Sequence, residues 1–146
     1  CIIFTKADKL KTVEVEANAQ IIKEALLEIW EEIPIYRSNL FIRGNGSGLR
    51  LFLNYFSFAV LSTLKLFSIK SKFDKVFIFA PSPITVGIPG IVASKRFKAK
   101  AVLWVHDLWP ESIRIAGGID NELIISLFNK MTKAIYNKMH KILIKE

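Results

Sequence analysis

The sequence predicts an α/β fold: a parallel sheet with helices on its faces. Three observations carry that expectation. From residue 34 onward, apolar strand-like runs alternate with helix-like segments in the order strand, helix, strand, helix, strand, helix, strand. The runs at 75–80 (KVFIFA) and 101–105 (AVLWV) are continuously apolar rather than alternating, as strands covered on both sides tend to be. At 146 residues and 51% hydrophobic, the chain is long enough to bury one real core.

Each element has its own reason. Residues 1–5 (CIIFT) predict a short buried strand, rich in β-branched and aromatic side chains. Residues 12–32 predict a helix. Thr12 suits the N-cap, Glu14 and Glu16 put negative charge in the first turn, and Ile22, Leu26, Ile29 and Trp30 recur at steps of three and four. Pro34 ends it. Residues 35–36 and 40–42 are short extended pieces, and GNGSG at 44–48 is a flexible loop. Residues 49–68 predict a long apolar helix. After the strand at 75–80, residues 83–96 predict a helix opening near Pro83. After the strand at 101–105, residues 120–139 predict an amphipathic helix with Leu123, Leu127, Met131 and Ile135 at steps of four. Residues 142–144 (ILI) form a last strand.

Composition narrows the class. Eleven Phe exclude a disordered chain, and a single Cys excludes a disulfide framework or cysteine-based zinc site and suits a reducing compartment. No secretory signal opens the sequence, because the apolar start stops at Lys6 without a basic region before it. The longest uncharged stretch, 76–94, contains Pro81, Pro83, Gly87, Pro89 and Gly90, which argues against a membrane-spanning helix there. His106 and His140 are the only histidines, and no metal-ligand spacing is visible. The net charge of +8 is unevenly distributed. Residues 1–33 hold four Lys against seven acids, a net −3, whereas residues 34–146 hold seventeen basic residues against six acids, a net +11.

Two segments carry chemistry. The first is Thr5-Lys6-Ala7-Asp8, at the end of the first predicted strand. A carboxylate after such a strand can accept hydrogen bonds from a guanine edge while the lysine stem lies along the base. Residues 2–34 resemble the late part of ribosome-biogenesis GTPases of the YihA/YsxC type, in which the guanine-specificity strand reads much like FTKADKL. That resemblance implies guanine recognition by Thr5, Lys6 and Asp8. No G-x-x-x-x-G-K-[ST] accompanies it, so nothing is seen to cradle phosphates. The bland alternative is a solvated turn.

The second segment is Trp104-Val105-His106-Asp107-Leu108-Trp109-Pro110-Glu111-Ser112. Open parallel sheets bind ligands beyond the carboxyl ends of their strands, and here those ends are 80–83 and 105–111. His106 is then placed to donate a hydrogen bond or act near neutral pH, and Trp109 and Pro110 would wall a cleft. The bland alternatives are a histidine satisfied by a backbone carbonyl, Asp107 as a cap or turn residue, and Glu111 stabilising a helix N-terminus. Residues 34–146 are similar to the N-terminal domain of family 4 glycosyltransferases, in the branch that builds bacterial surface polysaccharides and includes fucosamine-transferase-like enzymes. The matching pieces are IYR at 35–37, RLFLNYFSFA at 50–59, FAPSP at 79–83, LWVHDLWPES at 103–112 and YNKMHKILI at 136–144.

The resemblance implies one half of a two-domain GT-B enzyme, each half Rossmann-like, with this half facing the acceptor. It implies retaining transfer from a nucleotide-sugar, which enters as substrate, with no metal or cofactor. It also implies contacts from His106, Asp107, Trp109, Ser82 and Glu111 to donor or substrate, with His106 binding rather than acting as a base. The glycosyltransferase-like domain is expected at 34–146, lacking its donor-binding half. Residues 1–33 are expected to replace the first βα unit, from a different parent sequence, and such a portion alone is expected to be inactive.

A third feature is the basic, aromatic helix region with Arg50, Phe52, Phe56, Lys65, Lys70 and Lys72. It suits an anionic membrane surface, while the bland alternative is a core helix. Lys95, Arg96, Lys98 and Lys100 come without a recognised nucleic-acid-binding motif, so no nucleic acid is expected. The expected function is the acceptor-side portion of a glycosyltransferase acting on a lipid-linked glycan, cytoplasmic and peripheral at the inner membrane face. Self-association through an exposed domain face is also expected. The alternatives are a fragment of a GTP-binding ribosome-assembly protein, or a non-catalytic interaction domain.

Overall fold

The computed structural model describes residues 3–5, 20, 21, 24, 35–42, 48–117 and 120–144. Its central feature is a three-stranded parallel sheet in the order β3 (Lys75–Ala80), β4 (Lys100–Val105), β5 (Lys141–Ile144). Phe77 lies opposite Val102, Phe79 opposite Trp104, and Trp104 opposite Leu143. A separate parallel pair joins β1 (Ile3–Thr5) to β2 (Ile35–Arg37), with Ile3 opposite Ile35. The expected helix at 12–32 lies outside the described residues except at 20, 21 and 24. These are helical, and Gln20 Nε2 donates to Glu24 Oε1 (2.8 Å). Lys6 and Asp8 also lie outside them. Residues 40–42 carry no strand; the Phe41 backbone is held by the Ser57 and Asn54 side chains of the following helix instead.

That helix is α1 (Gly48–Leu66), and it leads to β3. A 3-10 turn (Ile84–Val86) and α2 (Gly87–Phe97) connect β3 to β4, so the single helix expected at 83–96 is a turn followed by a helix. Two helices, α3 (Glu111–Gly117) and α4 (Glu122–Tyr136), connect β4 to β5. Parallel neighbours joined by right-handed crossovers in one direction put all their helices on the same side. The core follows. Ile78 and Ala80 of β3, and Ala101, Leu103 and Val105 of β4, are buried in one cluster with Leu51 and Tyr55 of α1 and with Phe128 and Ile135 of α4.

The opposite side differs from the expectation of helices on both faces. Among the described residues it is uncovered. Phe77 is 59% and Phe79 49% exposed, and Trp104 and His106 share that side. α4 also differs from its predicted stripe. Leu123 and Leu127 are exposed, whereas the last two residues of that stripe hold: Ile135 is buried and Met131 packs against the core, joined there by Phe128 and Thr132. Phe128 packs its ring against Phe52 and Trp109 and so fills the core place expected for Leu127.

Candidate functional site

The carboxyl ends of β3 and β4 meet at one end of the sheet. The ladder between them runs one residue past β4, where His106 N–H donates to the Ala80 carbonyl (3.1 Å). Ser82 follows Ala80 by two residues, and Asp107 follows His106. Both Ser82 and Asp107 are half-buried. The Ser82–Pro83 and Trp109–Pro110 peptide bonds are cis. Pro83 is fully buried and precedes the turn into α2, whose Thr85 hydroxyl reaches the Tyr55 carbonyl (3.4 Å).

His106 is half-buried between two aromatic rings, Phe79 at 4.8 Å and Trp104 at 4.5 Å between centroids. Its Nε2 is buried and has no hydrogen-bond partner. Buried polar atoms are usually paired, so this nitrogen holds an unused bonding capacity at the strand end. The carbonyl-satisfied histidine therefore does not account for Nε2.

Trp109 does not wall a cleft. It is 7% exposed and packs in the core, edge-on to Tyr55 (6.0 Å) and tilted against Phe128 (5.8 Å). Its Nε1 is also buried without a partner. Glu111 is exposed and opens α3, where its charge suits the positive end of the helix dipole. Ser112 caps the preceding turn by donating Oγ–H to the Leu108 carbonyl (2.6 Å). Glu111 also acts on Tyr136: the hydroxyl's pKa is raised above 10.0, first by burial and second by that negative charge.

No known family, curated protein or solved structure matches the chain. The candidate site therefore stands on its own geometry. Among the described residues, no cluster of three or more His, Cys, Asp or Glu is arranged to hold a metal ion.

The remaining expected residues are scattered. Thr5 ends β1, in the pair with β2 and outside the three-stranded sheet. Arg50, Lys65, Lys70 and Lys72 are all exposed around α1 and the loop after it. Phe56 is half-buried, stacked on Phe52 (4.3 Å) and packed toward Phe128 (6.4 Å), so it belongs to a helix–helix contact more than to a surface. A cavity of about 450 Å³ lies along the unpaired edge of β3, lined by Phe58, Leu66, Phe73, Phe77, Phe79 and Pro89 among others. It meets the candidate site only through Phe79. The aromatic plate of Phe77, Phe79 and Trp104 was not singled out from the sequence. Its signal was present as aromatic residues two apart in β3 and a Trp two before His106, positions that share one side of a strand.

Proposed function

We propose that residues 34–146 act as the acceptor-side half of a GT-B glycosyltransferase, and that the sugar is moved from a nucleotide-sugar to a lipid-linked glycan at the cytoplasmic side of a membrane. The observation that carries this reading is the meeting of two parallel strand ends at His106, whose Nε2 is buried and unpaired. This is where open α/β sheets bind ligands, and the LWVHDLWPES run that resembles the transferase family occupies the same turn. In that role His106 would donate or accept a hydrogen bond to a sugar hydroxyl or phosphate oxygen, and Ser82 and Asp107 would orient the same group. Trp109 supports the turn from the core. The uncovered side of the sheet supports self-association, or docking of a further domain.

The reading is tested on the chain itself by titration calorimetry or NMR. A lipid-linked glycan acceptor analogue is expected to bind, and His106→Ala to weaken it about tenfold or more, the size of one charged or well-aligned hydrogen bond. Binding of GTP together with no response to acceptor or nucleotide-sugar would favour the GTPase-type reading of Thr5, Lys6 and Asp8 instead.

A further inference from the structure

Helix α1 is apolar on two sides. One side, with Leu51, Tyr55, Phe58, Ala59 and Leu66, is buried against the sheet and its neighbouring helices. On the other, Leu49, Leu53, Val60, Leu64 and Phe67 fall along one line of the helix and its end. They are 41–67% exposed. Phe41 and Ile42, 48% and 69% exposed, extend the same patch. They are tied there because Phe41 N–H donates to Ser57 Oγ (2.8 Å) and Asn54 Nδ2 donates to the Phe41 carbonyl (2.7 Å). A helix apolar all round is ordinarily buried, and a contiguous exposed apolar patch marks a contact surface.

The charges of the same segment indicate what covers it. From 48 to 73 every charged side chain is basic, namely Arg50, Lys65, Lys70 and Lys72, all exposed. Arg96 joins them, donating to the Phe67 and Ile69 carbonyls (3.2 Å each) and lying 5.2 Å over the Phe67 ring. Exposed cations on and just after the helix that carries an apolar stripe match an anionic lipid surface and disfavour a second copy of a chain that is itself +8. α1 has the length and composition of a membrane span, but its inner side is part of the core, as in a packed helix rather than a span.

We infer that the outer side of α1, with Phe41 and Ile42, docks in the interfacial layer of an anionic membrane, its axis in the bilayer plane. The apolar residues sink about 5–10 Å into the headgroup boundary while Arg50, Lys65, Lys70 and Lys72 meet lipid phosphates. This deepens the transferase reading by naming its membrane contact. It uses none of the His106 site, so vesicle binding and acceptor binding fail separately.

The test is co-sedimentation of the intact chain with vesicles of phosphatidylcholine alone or mixed with phosphatidylglycerol. The wild type is expected to bind the anionic vesicles at least about tenfold more tightly, and less so as salt rises. Replacing Lys65, Lys70 and Lys72 by Glu together is expected to weaken binding about a hundredfold or more, at about fivefold per charge removed. Leu53→Glu with Leu64→Glu is expected to abolish binding on both vesicle types. All these positions are exposed, so melting temperatures should stay near the wild type and show that the fold survives. Failure of the wild type to bind anionic vesicles would overturn the inference. So would loss of binding with the lysine variant but not the leucine variant, which would mean non-specific attraction by net charge. If vesicle binding is absent and the leucine variant converts a dimer to a monomer in light scattering, the occupant is a second copy and the inference also falls.

Discussion

His106 and Trp109 stand three residues apart in one turn and do different things. Trp109 is a core residue: its ring fills the space between α1 and α4 against Tyr55 and Phe128. Trp109→Ala should therefore cost about 3–5 kcal/mol of folding stability in urea titration, the range for emptying a large aromatic site. His106→Ala removes a half-buried ring and an unpaired nitrogen, and should cost about 1 kcal/mol or less. Equal losses at the two positions would mean that His106 is structural. Tyr136 makes a pH prediction. Burial and the Glu111 charge raise its pKa above 10.0, so folding favours the neutral phenol. That stability is fully present below pH ~10 and is lost as pH rises through the higher folded value. Melting curves at pH 9 to 11.5 should fall more steeply for the wild type than for Tyr136→Phe, and Glu111→Gln should lie between them. Of this turn the sequence made the strand-end location of His106 legible. It did not reveal that Trp109 points inward, because that depends on Phe128, nineteen residues away.

At the scale of elements, the termini of α2 and α4 are the points most open to test. α2 ends on Lys98 in the left-handed region (φ 54°), where a side chain is crowded by its own backbone and glycine is not. Lys98→Gly should raise stability by about 0.5–1 kcal/mol, read from the melting temperature. The start of α2 tolerates no such freedom. A Cβ on Gly87 would come 2.6 Å from Ile135 Cγ2, and one on Gly90 would run into the side chain of Ile78. Gly90→Ala should therefore destabilise by about 1–3 kcal/mol as the helix is pushed off β3. These contacts explain why Pro83-to-Gly90, with its broken apolar pattern, forms a turn and a tightly seated helix. α4 begins at Asn121, whose side chain accepts from Leu123 and Ile124 N–H (3.0 and 3.3 Å). Strand β3 was legible because KVFIFA is apolar, β-branched or aromatic, and bounded by Pro81. The facing of α4 was legible only in its second half: Met131 and Ile135 of the predicted stripe pack on the core, but Phe128, outside that stripe, takes the place expected for Leu127, and packing decides that.

At the scale of the whole molecule, the described residues form a three-stranded sheet with its helices on one side. β4 is the only strand paired on both edges among the described residues, through β3 and β5. Its amides, Ala101 to Val105, should exchange most slowly with deuterium, and the β5 amides beyond Leu143 among the fastest of the sheet. Uniform protection across the three strands would show that the uncovered side and the β3 edge, unpaired among the described residues, are shielded in solution. The charge asymmetry has a related spatial expression. The basic excess of 34–146 gathers partly around the outer stripe of α1, where no carboxylate lies between residues 48 and 73.

The sequence by itself determined the α/β class, the parallel strands and the strand-end turn around His106, because continuous apolar runs and strand–helix alternation are local, periodic properties of the chain. Only the tertiary structure decided which sides of these elements meet. It turned Trp109 into the core and put Phe128 of α4 there in place of Leu127. It also left Phe77 and Phe79 uncovered and gave α1 an outer apolar stripe in addition to its buried one. A sequence pattern states that a helix or strand has an apolar side. When an element such as α1 has two, burial goes to the side that finds partners, and that is a property of the assembled fold.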